Sequence, residues 1–177
     1  PTPFNDDGTL DTEGMKRVLD CMIDQGVDGI CILANFSEQF LLSDDEREVL
    51  TRVSLEHVAG RVPVIVTVSH FATQVVEQRA RLAASLGASM LMMMPPYHGT
   101  GLRADENSVI EHFQRAGQAG DIPIMLQDAP LSGVQLSVPQ IVRLARETPQ
   151  LRYFKIEMPQ TAAKLRRNTS VAESNPP

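Results

Sequence analysis

Three lysines occur in the 177 residues, Lys16, Lys155 and Lys164, and one of them has an unusual setting. Lys155 lies inside Tyr153-Phe154-Lys155-Ile156-Glu157. In a strand, alternation puts Tyr153, Lys155 and Glu157 on one face and Phe154 and Ile156 on the other. An isolated ammonium in a buried strand is desolvated, which disfavours its charged form. The free amine is a nucleophile that attacks a ketone to give a Schiff base. The same pentapeptide also fits an edge-strand lysine that snorkels to water or pairs with Glu157. Lys16 and Lys164 fall on the surfaces of expected helices.

Other groups capable of chemistry follow the apolar runs. Asn35-Phe36-Ser37-Glu38 follow the first, Ser69-His70 the second, Pro95-Pro96-Tyr97-His98 the third and Gln127-Asp128 the fourth. Amides, hydroxyls, imidazoles and carboxyls are thus spread over several strand exits, as in a site assembled from many loops. Each has a plainer reading: Glu38 as a loop brace, Phe36 as a plug, His70 and His98 as surface residues, Asp128 as a turn-former before Ala129-Pro130. No glycine-rich phosphate turn is present. His57, His70, His98 and His112 lack the spacing of a helical zinc site, and Cys21 and Cys31 are too few and too differently placed for a disulfide framework or metal knuckle. Both cysteines read as buried small hydrophobes, and neither a metal nor a cofactor is expected.

The elements that must position these groups repeat five times: a short apolar run, a polar loop, then a capped amphipathic segment. The runs are Val27 to Ala34, Pro63 to Val68, Ala88 to Met94, Ile122 to Leu126 and Arg152 to Ile156, starting about 30 residues apart, the length of a βα unit. In the first helix Met15, Val18, Leu19, Met22 and Ile23 form one face before Gly26. Ser43-Asp44-Asp45-Glu46 is a capping box opening the second, which stops at Gly60. The third spans about Thr73 to Gly87, the fourth carries Val109, Ile110, Phe113 and Ala116 before Gly120, and the fifth starts at Ser137 with Pro139 in its first turn. Continuous runs such as Met90 to Met94 imply a parallel sheet covered by helices. Length favours an open doubly wound sheet over a (β/α)₈ barrel, which typically needs about 250 residues; the distribution of polar loops favours the barrel.

Composition narrows the partners. With 42% hydrophobic and 21% charged residues and a formal charge of −6, the chain has material for a core and no basic footprint for nucleic acid or an anionic membrane. A small molecule is the expected partner. No stretch approaches ~20 apolar residues, and Pro1 to Asp7 lack the regions of a signal peptide, so a soluble cytoplasmic protein is expected.

These residues resemble the class I, Schiff-base-forming lyases typified by dihydrodipicolinate synthase and N-acetylneuraminate lyase. The resemblance runs from Thr2-Pro3-Phe4 to about Arg166. It rests on Ala34-Asn35-Phe36-Ser37-Glu38 with Leu42-Ser43 and Glu46-Arg47, on Pro95-Pro96-Tyr97-His98, on Gln127-Asp128-Ala129-Pro130 and on Lys155. It implies a (β/α)₈ barrel with Lys155 as nucleophile, Tyr97, His98, Asp128 and Glu157 as candidate proton carriers, and no cofactor beyond the covalent Schiff base. It also implies a 2-keto acid substrate and a homo-oligomer when full length.

Departures from the family pattern refine the expectation. The paired threonines that hold the substrate carboxylate are replaced by Asn35 and Phe36, so binding would shift to Asn35, Ser37 and backbone N–H groups, with Phe36, Asp128 and Glu157 lining the site. The tyrosine that relays protons is replaced by Gln127, which has no ionisable proton and cannot serve the deprotonation that retro-aldol cleavage needs. The reading therefore moves from aldolase to dehydratase acting on a 2-keto-3-deoxy sugar acid. A pyruvate-dependent aldolase or synthase is the alternative within the family. An inactive fragment or a non-catalytic open-sheet binding domain is the alternative outside it. Residues 1–166 are expected to form an incomplete barrel domain of about five parallel strands, lacking the first strand and the last two βα units. Residues 167–177 are expected to be an irregular tail.

Overall fold

Capped amphipathic segments alternate with short apolar strands throughout a computed structural model that describes residues 1–96, 104–130, 134–159, 161–164 and 166. In chain order the elements are α1 (Thr12–Asp24), β1 (Ile30–Ile32), α2 (Asp44–Val58), β2 (Val64–Thr67) and α3 (Thr73–Ser85). They continue as β3 (Met90–Met93), α4 (Glu106–Gly120), β4 (Ile124–Asp128), α5 (Val138–Glu147) and β5 (Leu151–Ile156). Residues 167–177 lie outside the described set.

Local chemistry sets the helix boundaries. At α2 the Ser43 hydroxyl accepts from the Glu46 N–H while the Glu46 carboxylate accepts from the Ser43 N–H, and Ser137 with Gln140 builds the same box at α5. Each box satisfies two N–H groups that have no partner inside the helix, and a good N-cap is worth about 1 kcal/mol. Gly26 follows α1 in the left-handed conformation, φ 78°, as expected. At α4 the left-handed residue is Asp121 (φ 50°) rather than Gly120, where a Cβ would press on Leu91 at 3.0 Å and meet Ala80.

All strand pairings are parallel, and the sheet order is β1-β2-β3-β4-β5. Ile30, Ile32, Val64, Val66, Leu91, Met93, Ile124, Leu126 and Ile156 share one core with Leu19, Leu50, Val76, Phe113 and Ile141 of the helices. The alternate strand positions, Cys31, Ile65, Met92, Met125 and Gln127, are absent from that cluster, so the helices pack on one face; the other, termed the open face although Met92 and Gln127 on it are buried, is the side that faces the lumen in a barrel. A doubly wound sheet would reverse its strand order and carry helices on both faces. Monotonic order with helices on one side is the singly wound arrangement, and the described residues form five successive parallel strands of a partial (β/α)₈ barrel.

Two expectations change here. Cys21 and Cys31 are exposed rather than buried, because Cys21 faces solvent on α1 and Cys31 alternates onto the open face between buried Ile30 and Ile32; the Cys31 thiol itself, 3.7 Å from the Thr67 hydroxyl, is nonetheless crowded by protein atoms that desolvate it. Met92, Met93 and Met94 are buried as expected, with Met93 in the shared core.

Candidate active site

In parallel strands the registered residues share a face, so the register assembles the site. Gln127 of β4 lies opposite Lys155 of β5, and Met125 opposite Tyr153. The pairing continues one step past β5, where the Glu157 N–H donates to the Asp128 carbonyl at 2.8 Å. Glu157, two residues after Lys155, therefore returns to the same open face. Its Oε1 lies 3.2 Å from the Lys155 Nζ, and its Oε2 accepts from the Gln127 Nε2 at 2.7 Å. A carboxylate only accepts, which fixes the amide orientation of Gln127. The Gln127 Oε1 is left buried with no partner in the described structure, a free acceptor on the strand position opposite Lys155.

Lys155 is thus not the isolated buried ammonium of the first reading. It is half-buried and paired with Glu157, the alternative that the pentapeptide left open.

Asp128 differs from its neighbour. Strand alternation turns it to the helix-covered face, its side chain is 0% exposed, and its Oδ2 is paired with the Lys164 Nζ from the helical turn at 161–164. The structure therefore does not bring Asp128 to Lys155, and Lys164 is partly buried against Asp128 rather than a free helix-surface residue.

The loop after β1 is a single 3₁₀ turn, Asn35–Ser37, bracketed by two non-glycine residues in the left-handed region, Leu33 (φ 56°) and Glu38 (φ 58°). Such backbone costs on the order of 1 kcal/mol or more per residue and persists where the surroundings dictate it. Here three side chains do so. Thr2 Oγ1 donates to the Ser37 carbonyl at 2.8 Å, Gln39 Nε2 donates to Asn35 Oδ1 at 2.6 Å, and Arg47 donates to the Gln39 carbonyl at 2.9 Å and to the Thr67 carbonyl at 2.7 Å. Phe36 is 89% exposed, so it does not pack as a plug. Asn35 and Ser37 share the C-terminal end of the sheet with Lys155 but stand at its opposite edge. Tyr97 and His98 lie outside the described residues.

Sequence reasoning gave Arg47 no role of its own. It is 4% exposed, and burial above all, then the nearby Arg79 charge, lowers its guanidinium to about 9. The available signal was an arginine on the stripe Arg47, Leu50, Thr51, Ser54 and Val58, the buried face of α2. Across the open face, burial pushes the Cys31 thiol up while hydrogen bonding to Thr67 and the charge of Lys155 pull it down. Among the described residues no cluster of His, Cys, Asp or Glu could hold a metal ion, and no helix is long and apolar enough to cross a membrane.

Comparison with known proteins gives a consistent result. Residues 1–174 match the profile of the dihydrodipicolinate synthetase family. An L-2-keto-3-deoxyarabonate dehydratase of Azospirillum brasilense is 59% identical over 166 residues, covering 94% of this chain and 54% of the relative. A 4-hydroxy-tetrahydrodipicolinate synthase of Xanthomonas campestris is 36% identical over 73% of this chain and 42% of its own. A prophage protein of the dihydrodipicolinic acid synthase family from E. coli K12, solved with pyruvate, superposes with a TM-score of 0.90 at 27% identity over 99% of this chain and 58% of that one. The chain spans about half the length of the curated relatives it matches. With its five singly wound strands, its Lys155–Glu157–Gln127 cluster and a match over residues 1–174, the chain belongs to the dihydrodipicolinate synthetase family.

Proposed function

We propose that this chain carries the Schiff-base half-site of a hydro-lyase that dehydrates a 2-keto-3-deoxy sugar acid, specifically L-2-keto-3-deoxyarabonate to 2-oxoglutarate semialdehyde. The observation that carries the reading is the Glu157 carboxylate between the Lys155 amine and the Gln127 amide. The 59% identity to a protein named for that substrate supports the choice of sugar acid.

The steps follow from the chemistry of these groups. Glu157 takes a proton from the Lys155 ammonium, and the free amine attacks the C2 ketone. Water leaves the carbinolamine and the iminium forms. With the iminium as electron sink a proton leaves C3, and the resulting enamine expels the C4 hydroxyl as water. Loss of a proton from C5 to a base, its bonding electrons passing to the conjugated iminium, gives a dienamine enol. Protonation at C3 and then C4 leaves an aldehyde at C5, and hydrolysis frees Lys155. One water is lost overall. Asn35 and Ser37 would hold the carboxylate, and no cofactor is required.

Gln127 decides between this path and aldol cleavage. Its amide can orient a leaving hydroxyl through the free Oε1 acceptor but cannot remove that hydroxyl's proton. Incubation with L-2-keto-3-deoxyarabonate tests the choice: 2-oxoglutarate semialdehyde is the expected product, and release of pyruvate with glycolaldehyde would identify an aldolase. The catalytic unit is proposed to be a cytoplasmic homo-oligomer when full length.

A further inference from the structure

Behind the open-face cluster, on the covered side of the same two strands, a second charge pair has no part in the steps above. Asp128 is the last residue of β4, its side chain is 0% exposed, and its carboxylate is paired with Lys164, whose side chain is 16% exposed. Two charges are seldom carried this far from water without a use, because desolvation offsets most of their attraction. Removing either partner leaves the other uncompensated.

The backbone around the pair shows what it holds. Asp128 grips the end of β5 twice: its carbonyl accepts from the Glu157 N–H at 2.8 Å, and its carboxylate binds the ammonium of Lys164, seven residues further on. Between those two points Thr161 Oγ1 donates to the Met158 carbonyl at 2.5 Å and to the Ile156 carbonyl at 3.2 Å, closing the segment back on β5. Asp128 also follows Gln127 directly, and Gln127 donates to the Glu157 carboxylate. The segment that starts at Lys155 and Glu157 is therefore anchored at its far end to the residue next to Gln127. Slack in that anchor passes to Glu157, which among the described residues is otherwise held by one backbone hydrogen bond and its two open-face contacts.

We propose that Lys164 is a positioning residue: held on the buried Asp128 carboxylate, it locks the end of β5 to β4 and keeps the Glu157 carboxylate between Gln127 and the Lys155 amine. The proposal builds on the functional reading above, yet it makes a prediction about geometry that does not depend on Schiff-base chemistry.

The test compares the 177-residue chain with Lys164→Met and Lys164→Arg in two measurements. One is hydrogen exchange of the Gln127 side-chain amide by NMR, its resonance assigned by its loss in Gln127→Leu. The other is the rate constant and amplitude of pyruvate trapping by borohydride. Lys164→Met is expected to speed Gln127 amide exchange about tenfold and to slow trapping about tenfold at saturating pyruvate, with the half-saturating pyruvate concentration within about twofold, the mark of a displaced reacting group rather than a lost binding site. Lys164→Arg keeps the charge and is expected to restore both. A loss of folded protein lowers the trapped amplitude, not the rate constant. If Lys164→Met does not fold, the neutral pair Asp128→Asn with Lys164→Gln carries the same expectation at smaller size. Unchanged Gln127 exchange in a folded variant overturns the proposal. Absence of any wild-type adduct, with exchange responding as expected, overturns the Schiff-base reading and leaves the positioning role standing.

Discussion

β4 and β5 present two ion pairs on opposite faces of the same strand ends. On the open face Lys155 and Glu157 are each more than a third exposed, while on the covered face Asp128 is 0% and Lys164 16% exposed. Adjacent residues in sequence, Gln127 and Asp128, serve different pairs because alternation turns one outward and one inward. The exposed pair contributes little to stability, since solvent screens it, and is free to exchange protons with a ligand. The covered pair points away from that cluster and, in the positioning role proposed above, acts through rigidity. Function and framework here differ by one residue along the chain.

Variants can break that contrast. Lys155→Arg has the largest expected effect, complete loss of keto acid-dependent product formation with the melting temperature within about 2 °C of wild type, because a guanidinium does not supply a free amine. A thermal melt beside a product assay checks both halves. Glu157→Gln is expected to slow the reaction about a hundredfold while changing unfolding free energy by less than about 1 kcal/mol. Asp128→Ala should reverse that pattern at the level of stability, costing about 3 kcal/mol in denaturant unfolding by leaving the Lys164 ammonium uncompensated. If Glu157→Gln proved the more destabilising, the assignment of roles to the two faces would be wrong.

Smaller effects sharpen the comparison with the loop after β1. Arg47→Met removes the donors to the Gln39 and Thr67 carbonyls and should cost about 1–3 kcal/mol, with a weaker half-saturation for keto acid as the Asn35–Ser37 turn loosens. Unfolding curves and a pyruvate titration read the two effects separately. The smallest concerns Cys31. Its thiol is pushed up by burial, so its alkylation by iodoacetamide should still be rising above the ordinary thiol range of about 8.5, since only the thiolate reacts. Lys155→Met removes a charge that pulls this thiol down and should move the profile to higher pH.

Much of the fold could be read from local chemistry. The Ser43 and Ser137 caps, Pro139 and Gly26 mark helix ends through groups within a few residues of one another, and the structure has them as expected. The face shared by Lys155 and Glu157 followed from strand alternation alone. What needed the sheet was register: no local pattern says that Gln127 lies opposite Lys155, or that Asp128 meets a lysine 36 positions away. Arg47 was hidden for a related reason, because its carbonyl partners belong to Gln39 and Thr67, and any residue type could have supplied them. Lys164 looked like a surface residue on helical spacing, and only its pairing with Asp128 of β4 draws it partly out of solvent.

The most direct test of the central claim is reduction with borohydride in the presence of pyruvate, followed by peptide mass mapping of the intact 177-residue chain. The account predicts a single keto acid adduct on the peptide containing Lys155. An adduct on Lys16 or Lys164 instead, or none on a chain shown to be folded, would contradict it.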